Sequence, residues 1–180
     1  VIDGVPGSGK TTILIESINS IIGEKKILLV CYNALLHEYL CERLIGKDNV
    51  KVAYYHGLME EYCKKASIEE KSKKDNDYYN EVLPKDFETA IVELFEKGQL
   101  EKFDWLLIDE AQDFLTTKSF NNLIELVKGE KSSGNYIIAA DSGIQSGVYQ
   151  NLDKDFLKEL KAKSNYYLSL VRNFRNPRNI

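Results

Sequence analysis

The sequence predicts an α/β domain with a largely parallel sheet and a phosphate-binding loop near its amino end. Three observations predict it. Short apolar runs alternate with segments of helical periodicity along the chain, the pattern of strands joined by crossover helices. The runs Ile27–Cys31 and Leu106–Ile108 are apolar without interruption, as strands covered on both faces must be. Gly4-Val5-Pro6-Gly7-Ser8-Gly9-Lys10-Thr11 fits the pattern G-x-x-x-x-G-K-[ST] between a strand end and a helix.

The elements follow in order. Val1-Ile2-Asp3 reads as the end of a strand. Residues Thr11 to Ile22 read as a helix, with Ile13, Leu14, Ile18, Ile21 and Ile22 at helical spacing. The strand Ile27–Cys31 comes next, then Tyr32-Asn33 and a helix through about Leu44. Val50 to Tyr54 is a short strand. The polar, Tyr-rich stretch from Gly57 to about Asn80 is expected to be helical, with a mobile loop near Lys71–Asp77. Pro84 and Gly98 bracket a helix over about Lys85–Lys97. Residues 58–102 thus read as a helical insertion riding on the sheet. Phe103–Ile108 is a strand ending in Asp109-Glu110. A helix over about Ser119–Lys128, a strand Tyr136–Ala140 ending in Asp141, an amphipathic helix Asp153–Lys163 and a strand Tyr166–Val171 complete the chain. In parallel sheets, ligands bind beyond the carboxyl ends of the strands. The polar residues after Ile2, Val30, Tyr54, Ile108, Ala140 and Val171 are therefore expected to converge.

The loop's residue types follow from the chemistry of a triphosphate. Backbone N–H groups solvate so dense an anion only when the chain wraps it closely, and Gly4, Gly7 and Gly9 lack the Cβ atoms that would prevent this. Pro6, Ser8 and Thr12 complete the wall. Lys10 is a point charge for the β and γ phosphates. The Thr11 hydroxyl is a ligand for Mg²⁺, and the helix presents its positive end to the anion. Asp109, closing a buried strand, is placed to hold Mg²⁺ with Thr11. Glu110 is the candidate base that orients and deprotonates an attacking water. ATP and Mg²⁺ are the ligands expected.

Composition bounds the rest. The chain has 180 residues, 43% of them hydrophobic and 29% charged, enough for one full core. No apolar run approaches the ~20 residues of a membrane span, and no secretory leader is visible, so a cytoplasmic location without membrane contact is expected. Cys31, Cys41 and Cys63 lack metal-ligand spacing and read as reduced thiols. The net charge is −4, and Glu60–Lys102, with 8 Lys and 12 acidic residues, accounts for all of it. The runs Lys64-Lys65 and Lys71-Lys73-Lys74 alternate with acids and read as a solvated helix face. Only three residues precede the loop, where a buried strand has about 5–6, and Ile180 follows a helix start at Asn176-Pro177. The chain is accordingly expected to be a fragment of a longer protein.

Asp109-Glu110-Ala111-Gln112-Asp113 resembles the D-E-x-Q-D form of motif II in UvrD/Rep-like superfamily 1 helicases and related ATPases. Other stretches resemble that family in its order: Ile27–Leu40 its motif Ia, Tyr54–Leu58 the T-F-H-S-L motif, Asp141–Tyr149 motif III, and Leu170–Asn176 motif IV. The wording FDWLLIDEAQDF and RNFRN is nearest to the helicase-like ATPase region found beside nuclease-related domains. The resemblance implies a P-loop NTPase of RecA-like, three-layer architecture, residues 1–180 forming its first lobe. It implies that Arg175 contacts the γ-phosphate, that Phe174 stacks on adenine, and that Gln145 senses the γ-phosphate. Thr12 stands where many relatives carry an Arg against the base. It also implies single-stranded DNA as partner, along Tyr32, Asn33, Tyr55 and His56. On their own, Tyr32, Tyr55 and His56 read equally as stacking surfaces or as partly buried core aromatics. Two departures stand out. Asp141-Ser142-Gly143-Ile144-Gln145 is one residue longer than the family's D-x-x-Q, and the W-R-G-A continuation is absent. Motifs V and VI, of a second RecA-like lobe, and the upstream glutamine motif are not in these residues. The resemblance implies an ATP-driven DNA motor; a nucleotide-gated switch, or a defence-associated ATPase that does not unwind DNA, is the alternative.

Overall fold

Six parallel strands form the sheet of the computed structural model, which describes residues 1–69, 78–129, 134–141, 143 and 154–175. The elements are β1 (Ile2–Gly4), α1 (Lys10–Ser20), β2 (Ile27–Cys31), α2 (Ala34–Arg43), β3 (Val50–Tyr54), α3 (Tyr55–Lys65), α4 (Leu83–Glu96), β4 (Trp105–Ile108), α5 (Thr117–Ile124), β5 (Asn135–Ala140), α6 (Lys154–Lys163) and β6 (Leu168–Leu170). A π-helical turn, Tyr78–Val82, leads into α4, and one 3-10 turn, Ala111–Asp113, follows β4. The strand order is β3-β2-β4-β5-β1-β6. Each pair is parallel, so all six carboxyl ends lie along one edge.

The strands' period of two divides the core between the sheet's faces. Ile27, Leu29 and Cys31 of β2 and Leu107 of β4 pack with Leu14, Ile15 and Ile18 of α1 and Leu40 of α2. Their neighbours Leu28, Val30, Leu106 and Ile108 pack on the other side with residues from α3, α4, α5 and α6. This is the RecA-like three-layer arrangement that the family resemblance implies. The helical segment 58–102 supplies much of the second layer, through Leu58, Met59 and Tyr62 of α3 and Phe87, Ala90 and Leu94 of α4, all within that core.

Several boundaries differ from expectation, each for a local reason. The helix after β3 begins at Tyr55 rather than Gly57, because the Tyr55 ring is buried against Phe114, 4.6 Å between centroids. β4 starts at Trp105, since Phe103 leaves the sheet ladder to bridge Val127 and donate its N–H to the Leu126 carbonyl. That same bridge draws the chain away after Ile124, so α5 ends before Lys128; it starts early, at Thr117, on a Thr116–Ser119 capping box. β6 is three residues long because it pairs residue for residue with β1, from Ile2–Leu168 to Gly4–Leu170. The loop expected at Lys71–Asp77 lies outside the described residues, as do Gln145 and Tyr149.

Asp3 anchors this end of the sheet. Its Oδ2 accepts from Lys161 Nζ of α6 at 2.6 Å and from the Tyr167 hydroxyl at 3.0 Å. Among the described residues, no helix is long and apolar enough to cross a membrane. Cys31 and Cys63 are buried and Cys41 is exposed, and none of the three forms a disulfide among the described residues. Burial, with the nearby Asp109 charge, pushes the Cys31 thiol up to about 12, where it is inert.

Candidate active site

The loop after β1 is shaped by its neighbours as much as by its own glycines. Gly9 has φ 94° and caps α1 in the left-handed conformation, so the helix starts at Lys10 with its amino end toward the loop. Gly7 has φ 70°, and a Cβ built on it would lie 2.7 Å from Arg175 Cβ and 2.8 Å from Asn173 Oδ1. Gly4 also meets close neighbours. Its missing Cβ makes room for Leu170 of β6 and for Ser8 Oγ, each 2.7 Å from the position it would take. Lys10 is buried, and its Nζ donates to the carbonyls of Gly4 at 2.9 Å and Val5 at 3.4 Å. Ser8 Oγ is buried with no hydrogen-bond partner among the described residues. An unpaired buried hydroxyl costs on the order of 1–3 kcal/mol, and an anion in the loop would give it one.

The tail of the chain returns to this loop. The Phe174 N–H donates to the Gly7 carbonyl at 2.9 Å, and the Val5 N–H to the Leu170 carbonyl at 3.2 Å. Asn173 Oδ1 accepts from the Arg175 N–H at 2.8 Å, an Asx turn that bends the tail against Gly7. A cleft of about 600 Å³ results, lined by Gly7, Ser8, Gly9, Lys10, Thr11, Thr12, Leu36, Tyr39, Glu110, Phe174 and Arg175. Loop, candidate base, aromatic and arginine are thus brought together from opposite ends of the chain. Pro6 sits in the loop outside that lining.

Asp109 is fully buried at the end of β4. Its Oδ2 accepts from Thr11 Oγ1 at 2.7 Å, and its Oδ1 from the Glu110 N–H at 3.0 Å. Burial, reinforced by the Glu110 charge, raises its carboxyl from 3.8 to about 6, against the Thr11 hydrogen bond and the Lys10 charge. Asp113 rises to about 6 through its own burial and the Glu110 charge. Both carboxyls thus lie in the field of Glu110. The Thr11 hydroxyl and Asp109 carboxylate, in contact, are the hard oxygen pair that suits Mg²⁺, which takes one or two protein oxygens and completes its shell with phosphate and water. Among the described residues no group of three or more His, Cys, Asp or Glu could hold a metal by itself.

Glu110 stands in the left-handed region, φ 51° and ψ 46°, rare for a residue with a side chain. Such strain persists only where the surroundings over-determine it. Its carboxylate Oε2 accepts from Gln112 Nε2 at 2.6 Å. In the sequence Gln112 is only one letter of a motif, and no local pattern marks its contact with Glu110; nor does any mark Leu36 and Tyr39 of α2 or Asn173.

The expected nucleic-acid residues separate into two groups. Tyr32 and His56 line a second cavity of about 430 Å³ with Tyr79, Phe114, Glu81, Asp113 and Lys118. Their rings touch, Tyr32 to His56 at 5.3 Å and His56 to Tyr79 at 4.9 Å. Burial lowers the His56 pKa, against the charge of Glu60. Tyr55 also borders this cavity but is only 5% exposed, and its phenol group, hydrogen-bonded to Ser119 and raised by burial, belongs to the core. Asn33 caps α2, its Oδ1 accepting from the N–H groups of Leu35 and Leu36. Its side-chain oxygen is therefore committed to the helix.

Among known protein families, the model of one described as an AAA domain matches residues 1–140, from β1 through β5. A search of curated proteins finds no match.

Two outcomes follow. Gly98 also has positive φ, 66°, but nothing lies within 4 Å of where its Cβ would be. Gly98→Ala is expected to cost about 1 kcal/mol in urea unfolding, the backbone term alone. Gly7→Ala is expected to cost roughly twice that, because it also pushes Asn173 and Arg175 away; equal losses would show that the tail yields freely. The raised Asp109 and Asp113 carboxyls contribute stability that is full below 3.8 and lost as pH rises through about 6. Without added metal, their contribution to the unfolding free energy is expected to fall between those values, and Asp109→Asn to remove part of that fall. An unchanged slope in the variant would contradict the burial of this carboxylate.

Proposed function

The chain belongs to the AAA domain family, and from that premise we propose that it is the ATP-binding and hydrolysing lobe of a superfamily 1 DNA helicase or translocase. One observation carries the reading. A single cleft gathers Gly7–Thr12 from the chain's start, Glu110 from its middle and Phe174 and Arg175 from residues beyond the matched region. A loop alone binds phosphate; a loop facing a carboxylate and an arginine can also cleave it.

The roles follow from position. Loop N–H groups and the Ser8 hydroxyl hold the phosphates of ATP, and Lys10 turns from the Gly4 and Val5 carbonyls to the β and γ phosphates. Thr11 and Asp109 would hold Mg²⁺, which when bound would supply charge neutralisation for the phosphates. Glu110 takes a proton from the attacking water onto its carboxylate. Arg175 and Lys10 offset the charge that builds on the transferring phosphoryl group. Phe174, 72% exposed, offers its ring to the adenine. A second RecA-like lobe facing Phe174 and Arg175 completes the site. Opening and closing between lobes moves single-stranded DNA over the strand ends, where Tyr32, His56 and Tyr79 offer stacking faces. Gln145 is proposed as the link between γ-phosphate and DNA.

A second reading is favoured by the charge of that aromatic cavity. It carries Glu81 and Asp113 against Lys118, a weak attraction for a phosphate backbone. On this reading the protein is a nucleotide-gated switch or a defence-associated ATPase that does not unwind DNA.

In the intact protein, ATP turnover is expected to rise with single-stranded DNA and to fall about 10²–10⁴-fold in Glu110→Gln. Unchanged turnover in that variant would remove Glu110 from the mechanism. A strand-displacement assay separates the two readings: duplex unwinding supports the motor, and ATP turnover without unwinding supports the switch.

A further inference from the structure

We propose that Gln112 is a positioning residue: its amide clamps the Glu110 carboxylate and ties it to the end of β5. The inference rests on Glu110 being the water-activating base.

Gln112 is 2% exposed and lies in the 3-10 turn directly after Glu110. Its amide is engaged on both ends. Nε2 donates to Glu110 Oε2 at 2.6 Å and to Asp113 Oδ1 at 3.2 Å, while Oε1 accepts from the Asp141 N–H at 2.9 Å. Turning the amide over would set its oxygen against two carboxylates and its NH₂ against an N–H. The network therefore admits one orientation.

The residue type follows from the contacts. The position needs a donor for a carboxylate and an acceptor for a backbone N–H, on one planar group long enough to span them. Asn is too short, Glu has no donor, and Met has neither donor nor an acceptor of comparable strength. A free Glu side chain samples several rotamers, whereas a general base must stay within hydrogen-bond reach of its water. Gln112 removes that freedom and helps hold Glu110 in its left-handed backbone conformation.

The far end of the clamp is equally fixed. Asp141 is 1% exposed, and its Oδ1 accepts from the Gly143 N–H at 3.0 Å. Asp141 ends the strand between the loop strand β1 and the Glu110 strand β4. A displacement of the chain at Asp141 therefore reaches the base through one side chain.

The test is steady-state ATP hydrolysis by the intact protein, with Mg·ATP-analogue affinity measured by calorimetry. Gln112→Glu keeps the size and the acceptor but loses the donor. It is expected to lower kcat about 10- to 100-fold, with KM and analogue affinity within about twofold, because no phosphate contact is removed. Gln112→Met, uncharged and of similar length, is read the same way should the extra carboxylate prevent folding. In the double variant with Glu110→Gln, the Gln112 substitution is expected to add no further loss, since the clamp acts through Glu110. Wild-type kcat in a folded Gln112 variant, or losses that simply add, would overturn the proposal. Were Glu110→Gln itself as fast as wild type, the base assignment would fail first. A slow Glu110→Gln beside fast Gln112 variants would remove the clamp alone.

Discussion

The hydrogen bond from Thr11 Oγ1 to Asp109 Oδ2, 2.7 Å long, joins the phosphate-binding loop and its helix to the end of β4. It crosses from the first turn of α1 to the end of β4, past the intervening strand β5. The bond forms only because the sheet is parallel and buried on both faces. Parallel pairing places the ends of β1, β4, β5 and β6 along one edge, and helices cover the sheet on both faces. Asp109 is the cost of the arrangement. A carboxylate with no exposure is held by one hydroxyl and one N–H, and its pKa rises accordingly. A divalent cation with phosphate ligands is the natural counter-charge for such a group.

Around that bond the site is built from three separate strand ends. β1 supplies the phosphate loop. β4 supplies Asp109 and, one residue on, a strained Glu110. β6 continues into a tail that folds back to Gly7, where one backbone hydrogen bond and an Asx turn set Phe174 and Arg175 at the cleft. The glycine at position 7 is required by this return as much as by its own positive φ. The family match covers residues 1–140, so the contribution of the tail is visible in the structure rather than in the match.

Much of the fold was legible because its signals are local. Continuous apolar runs marked the buried strands, and Gly, Pro and Ser/Thr marked most element ends. Boundaries set by distant partners were not legible: Phe103 leaves its strand for Val127, and Tyr55 joins a helix to reach Phe114. Within the site, Lys10, Thr11, Asp109 and Glu110 were readable because their chemistry and spacing are tied to the loop and to β4. Gln112 was hidden because its importance lies in three hydrogen bonds, one of them to a residue far along the chain. Tyr55 and Asn33 were ambiguous for another reason. A residue type suited to nucleic acid is equally suited to a core or a helix cap, and only packing separates the two. At Gly4 the packing adds a distant partner, since the missing side chain leaves room for Leu170 of β6.

The central claim is that the chain's tail completes a triphosphate site begun by its amino-terminal loop. Calorimetry comparing Mg·ATP analogue with Mg·ADP, in wild type and Arg175→Ala, tests it most directly. The wild-type protein is expected to bind the triphosphate more tightly, and Arg175→Ala to lose at least about tenfold of that preference while its diphosphate affinity stays within about twofold. Equal affinities for the triphosphate in the two proteins would contradict the claim, as would parallel losses for both nucleotides.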